Sequence, residues 1–246
     1  MTRQKYNSGL AIMSVVVSVI GLGLLPLLIL NPPPSFVIPW QNSLVGAVFA
    51  LICIFGIIAG ISPTHCSRSS SKQKSDLKED LGEGSTRSVA SIHKKGHHPT
   101  CDRYTGHVLR INSRIFCAGC TGLVIGALIA LIGTGLVFFA GFYFPTVIMI
   151  FWLGWGFVAI GLLQHHLYRL FRLERGEARF LLNVLFVVGA FLLLATQMQI
   201  TNNLLLASYL LVLTVYWIFT RIVMSRWSHQ RICNQCGKTD CSLLDV

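Results

Sequence analysis

Cysteine and histidine gather in two short stretches of this chain. The first reads His97-His98-Pro99-Thr100-Cys101, then His107, then Cys117-Ala118-Gly119-Cys120. The second, near the C-terminus, carries His229, Cys233, Cys236 and Cys241, so its cysteines have C-x2-C-x4-C spacing. Two cysteines separated by two residues can converge on one ion as the chain turns between them, and zinc takes four nitrogen or sulfur ligands in tetrahedral geometry. Cys101, Cys117 and Cys120 therefore form a candidate metal site, with His98 or His107 as the fourth ligand and His97 as a neighbouring nitrogen donor. Gly106 and Asn112-Ser113 supply turn-prone residues for the excursion between Cys101 and Cys117. The tail residues are candidates for a separate zinc site, in which Cys236-Gly237 resembles a zinc-knuckle turn, or they join the first through His65 and Cys66.

The same residues allow a second chemistry. Cys117 and Cys120 stand where a long apolar run begins. If a helix starts there, the two lie on one face at i, i+3, and the helix N-terminus favours their thiolates. That is the layout of a thioredoxin-type pair, so a membrane thiol–disulfide oxidoreductase is the alternative reading, and a metal-handling permease is a third. The additional cysteines and histidines favour metal. His165 and His166 end another apolar run, and adjacent helical residues point about 100° apart, so at most one of them joins a site.

The elements that must position these residues are apolar. Of 246 residues, 53% are hydrophobic and 12% charged, about half the charged share of a soluble domain. Six runs, Gly9–Leu30, Leu44–Ile61, Phe116–Phe142, Thr146–Leu163, Phe180–Met198 and Leu204–Val223, approach or exceed the roughly 20 apolar residues that cross a bilayer. Arg221, at the end of the last, is their only charge. Within lipid the backbone must satisfy itself, so each run is expected to be helical. The polar faces that soluble helices require are missing, as is the alternation of a barrel. The expected fold class is all-α: an integral membrane bundle of six transmembrane helices with a Cys/His-rich cytoplasmic face. The first run is longer than a signal-peptide core of about 7–15 residues and is expected to be retained.

The chain is thus expected to divide into residues 1–62 (two spans), 63–92 (a flexible linker rich in Ser, Lys and acids), 93–120 (the Cys/His motif), 116–227 (four spans) and 228–246 (the Cys-rich tail). Gly56 with Gly60, and Gly122 with Gly126, sit at the spacing that marks close helix packing.

The charges orient the bundle. Of 20 Lys and Arg, 2 precede the first run, 10 lie between Pro63 and Ile115, 4 between Gln164 and Arg179, and 4 from Arg221 onward; the other three loops carry none. Basic residues favour the cytoplasmic side, so both termini are expected in the cytoplasm of a protein of the cell membrane. The net charge of +11 then reads as topogenic, with attraction to anionic headgroups a consequence. The expected partners are the lipid bilayer and a metal ion, not nucleic acid. Cytoplasmic cysteines are normally reduced, which disfavours a disulfide framework. No phosphate-binding glycine loop, nucleophile elbow or H-E-x-x-H is present, and the span interiors lack the ionisable residues that ion-coupled carriers use.

At His97-His98-Pro-x-Cys101 followed by Cys117-Ala-Gly-Cys120-Thr-Gly122, the chain resembles a family of uncharacterised archaeal multi-pass membrane proteins. These share an HHPxC segment, a histidine a few residues on, and a CxGCxGL entry into a span. The resemblance covers the motif firmly and the hydropathy profile loosely. It implies that His97, His98, Cys101, His107, Cys117 and Cys120 belong to one motif, and it implies no reaction.

Overall fold

A computed structural model describes residues 8–34, 38–61, 108–111, 114–171 and 176–236. The elements run α1 (Ser8–Leu30), α2 (Gln41–Ile61), β1 (Val108–Ile111), β2 (Arg114–Cys117), α3 (Ala118–Thr134, continued by a π-helical turn Gly135–Phe139), α4 (Val147–Phe171), α5 (Gly176–Thr201) and α6 (Leu204–Cys236). Six helical segments among the described residues are long and apolar enough to cross a membrane, since about 20 residues at 1.5 Å rise span 30 Å. Side chains such as Ile12, Met13, Phe55, Ile132, Met149 and Val212 face outward, the arrangement lipid rather than water accommodates. By length and composition these are the helices of a multi-pass membrane protein.

α5 lies at the centre, packed along α3 and α4, while α1 lies mainly on α6 and α2 on α3. Lipid tails are as apolar as the helices, so association depends on close packing and hydrogen bonds rather than water exclusion. Gly122 lets α3 approach α5 until a Cβ there would strike the Phe180 carbonyl oxygen and come within 2.8 Å of Asn183 Cβ. One turn on, a Cβ at Gly126 would lie 3.0 Å from Val187 Cβ. The spacing reading of this pair is borne out. Gly56 and Gly60 divide: a Cβ at Gly60 would meet Val124, whereas nothing lies within 4 Å of one at Gly56.

Proline in α1 has a specific remedy. Pro26 lies inside the helix and has no N–H to offer the carbonyl four residues earlier. That carbonyl, on Leu22, instead accepts a bond from the Trp155 indole at 3.1 Å. The α1–α6 seam is polar as well: the Ser18 and Thr220 hydroxyls bond at 2.9 Å, and the Tyr209 hydroxyl donates to the Gly21 carbonyl at 3.0 Å.

At the end of the bundle bearing the α5–α6 connection, amides tie the loops. Asn202 takes a left-handed conformation, φ 47°, which Asn tolerates better than most residues. Asn203 caps α6, its Oδ1 accepting from the Leu206 N–H at 3.1 Å. The Gln41 carboxamide donates to Asn202 Oδ1 at 2.6 Å, and Asn203 Nδ2 to the Pro33 carbonyl at 2.6 Å.

Several features differ from the sequence expectation, among them α4, which runs on past Leu163 to Phe171. Phe116 and Cys117 belong to β2, and α3 begins at Ala118, because the strand pairs back on β1 before the helix starts. Within the excursion expected between Cys101 and Cys117, Val108–Ile111 and Arg114–Cys117 pair as two antiparallel strands, which adds a small β element to the all-α expectation. α6 does not end near Val223 but runs to Cys236. Residues 228–236 therefore continue the helix, and the knuckle-like turn expected at Cys236 has helix leading into it.

Candidate functional site

The hairpin ends on Cys117, the first cysteine of the C-x2-C pair. Its register pairs Val108 with Cys117 and Ile111 with Arg114, leaving Asn112 and Ser113 between the strands. Val108, the first residue of β1, thus stands opposite Cys117. Cys117 ends β2 and is the N-cap of α3, with extended dihedrals (φ −71°, ψ 116°) and no side-chain cap bond. Cys120 is the third residue of the helix, whose first turn leaves backbone N–H groups without helical partners. Both are half-buried; Cys117 precedes the helix rather than lying on its face, so the expected i, i+3 pair on one helical face is not formed. Cys53 is buried within α2.

His97, His98, Cys101, His107 and Cys241 lie outside the described residues, as do His65, Cys66 and the 63–92 linker. His229, Cys233 and Cys236 lie on the last turns of the α6 backbone, and His165 and His166 on α4, which continues past them to Phe171. Among the described residues, no three His, Cys, Asp or Glu side chains gather at one point. Of the residues expected at the inner site, Cys117 and Cys120 are described, and the others lie outside the described residues.

A polar knot beneath this pair escaped the sequence reading. Arg221 is not at the end of a span: α6 continues past it, and its side chain turns into the bundle. Nη1 donates to the Gly161 carbonyl of α4 at 2.7 Å, Nη2 donates to Asn183 Oδ1 of α5, and the guanidinium carbon lies 5.3 Å from the centre of the Phe186 ring. Asn183 is buried, 3% exposed, and its Nδ2 donates to the Arg179 carbonyl at 2.6 Å. The same Nδ2 lies 3.9 Å from where a Cβ on Gly119 would be, within the Cys117–Cys120 turn. Sequence signals did exist. Ile222-Val223-Met224 continue the apolar run beyond Arg221, and Asn183 interrupts an apolar run. A charge and an amide inside a span are costly unless paired, which favours their meeting.

The arrangement offers a pair of thiols at a helix N-terminus. It can bind a thiophilic metal or cycle between dithiol and disulfide. No protein-family model, curated protein or solved structure matches the chain, so the reading of function rests on the residues themselves.

Proposed function

We propose that this chain is a six-span protein of the cell membrane whose cytoplasmic Cys/His cluster binds zinc, in a structural or regulatory role. The observation supporting this is the placement of the two cysteines, Cys117 at the N-cap and Cys120 in the first turn of α3, at the end of the β1–β2 hairpin. Cys101, Cys117 and Cys120, with His98 or His107, would hold the ion; His97 adjoins them. Zinc supplies no redox chemistry; it would cross-link the segment before the hairpin to the start of α3, where metal binding and local folding are one free energy. The tail residues His229, Cys233, Cys236 and Cys241 would form a second site. The motif resemblance supports treating the first set as a unit.

Thiol reactivity tests this. Alkylation of Cys117 and Cys120 is expected to be slow in protein prepared without chelators and to accelerate once a chelator strips the ion. Rapid alkylation unaffected by chelator would count against the site. The N-cap position of Cys117 and the third-residue position of Cys120 favour one other reading, a thiol–disulfide oxidoreductase. Under that reading a dithiol reductant, not a chelator, changes thiol reactivity.

The orientation has its own test. A membrane-impermeant thiol reagent applied to intact cells is expected to miss every cysteine placed in residues 67–115, and to label one introduced beside Trp40. Strong labelling within 67–91 would refute the proposed topology.

A further inference from the structure

The β1–β2 hairpin is tied to the membrane by the chain itself. β2 ends at Cys117, and the span of α3 begins at the next residue, Ala118. A lone two-stranded hairpin is at best marginally stable in water, so this one depends on what covers it. β1 lies against α5 on one side. Six of the eight strand residues are apolar and the other two are Arg110 and Arg114, with no acid among them. The register sorts them by distance from the span. Val108 with Cys117 and Leu109 with Phe116 form the rungs next to α3, while Arg110 with Ile115 and Ile111 with Arg114 form the rungs farthest from it. Leu109 and Phe116 are each only half-buried by the protein, and apolar surface left open favours an apolar surrounding over water. At about 3.3 Å per strand residue, the Arg110 and Arg114 positions lie at most about 7–10 Å along the strands from the Cys117 rung. The headgroup layer on each side of the hydrocarbon is roughly 5–8 Å thick, so both positions fall at its level or at its outer edge.

We propose that the β1–β2 hairpin is a lipid-binding element, in which Arg110 and Arg114 bind the phosphate of anionic lipid headgroups and Leu109 and Phe116 rest on the boundary of the hydrocarbon. A guanidinium makes paired, charge-assisted hydrogen bonds to phosphate oxygens. In the orientation proposed above, this end of α3 faces the cytoplasmic leaflet, where the anionic lipids lie. The inference is independent of the zinc reading, since it uses the strands and the start of the span alone. Because Cys117 closes the hairpin, headgroup binding would also hold the approach to α3 in place.

The experiment is amide hydrogen exchange of the full chain in phosphatidylcholine nanodiscs, with and without phosphatidylglycerol. In the parent, phosphatidylglycerol is expected to slow exchange across 108–117 about fivefold or more, the scale of one arginine at an anionic surface, and added salt to reverse the effect. The double variant Arg110→Gln/Arg114→Gln is expected to exchange alike in both lipids. Arg110→Lys/Arg114→Lys keeps the charge without the planar fork and is expected to retain part of the protection. Exchange in α3 and α5, read in the same experiment, reports whether each variant has folded. Should the glutamine pair disturb those helices, the single variants Arg110→Gln and Arg114→Gln carry the test, each expected to lose part of the effect. Equal exchange of the parent in the two lipids overturns the proposal, as do glutamine variants that keep the full effect. Inorganic phosphate added to phosphatidylcholine nanodiscs is expected to change nothing. Protection by it as strong as by phosphatidylglycerol would assign the arginines to free phosphate and overturn the lipid assignment.

Discussion

Replacing Gly122 with leucine is expected to destabilise the bundle by about 2–3 kcal/mol, the range for forcing side-chain volume into a packed interface. A single Cβ at Gly122 already meets the Phe180 carbonyl and Asn183 Cβ, and both lie on the α5 backbone or one bond from it, so neither can swing aside. α3 must move away from α5, taking Cys120 with it and loosening the Asn183 contact beside Gly119. The substitution should therefore lower the unfolding midpoint in mixed micelles and increase the reactivity of Cys117 and Cys120 together. Gly56→Ala is the matched control. Nothing lies within 4 Å of its Cβ, and alanine is the better helix former by roughly 1 kcal/mol, so stability should hold or rise slightly. Equal losses at Gly56 and Gly122 would contradict the packing account.

Cys117→Ser is expected to empty the inner metal site, because the hydroxyl is a poor substitute for a thiolate and metal loss is loss of local folding as well. Truncation after Trp227 removes His229, Cys233, Cys236 and Cys241, leaving Cys101, Cys117, Cys120, His98 and His107 in place. If the sites are separate, about one zinc ion per chain remains and Cys117 stays protected from alkylation. In Cys117→Ser within the truncated chain, that last ion should go. A truncated chain with no zinc at all would mean that tail and motif share one composite site.

Where physics acts on single segments, the sequence was legible. The bilayer demands uninterrupted apolar length, and the six helices fall on the six runs with ends shifted by a few residues, apart from the extensions of α4 and α6. The Gly122–Gly126 contact was legible because close helix approach has a local signature. The hairpin was less so: Val108–Ile111 and Arg114–Cys117 are four residues each, too short for periodicity to separate strand from turn. Arg221 was misjudged because a charge ordinarily marks the end of a span. Its partners, Gly161 and Asn183, lie 60 and 38 residues away, a distance no local pattern bridges. The amide lock of Gln41, Asn202 and Asn203 was missed for the same reason.

Zinc content is the most direct test of the central claim. Protein purified anaerobically, without chelators and from lipid rather than refolded, should carry about one to two zinc ions per chain by elemental analysis, released together with the appearance of reactive thiols. Protein that contains no stoichiometric metal, and instead shows a Cys117–Cys120 disulfide that a dithiol reductant opens, would contradict it.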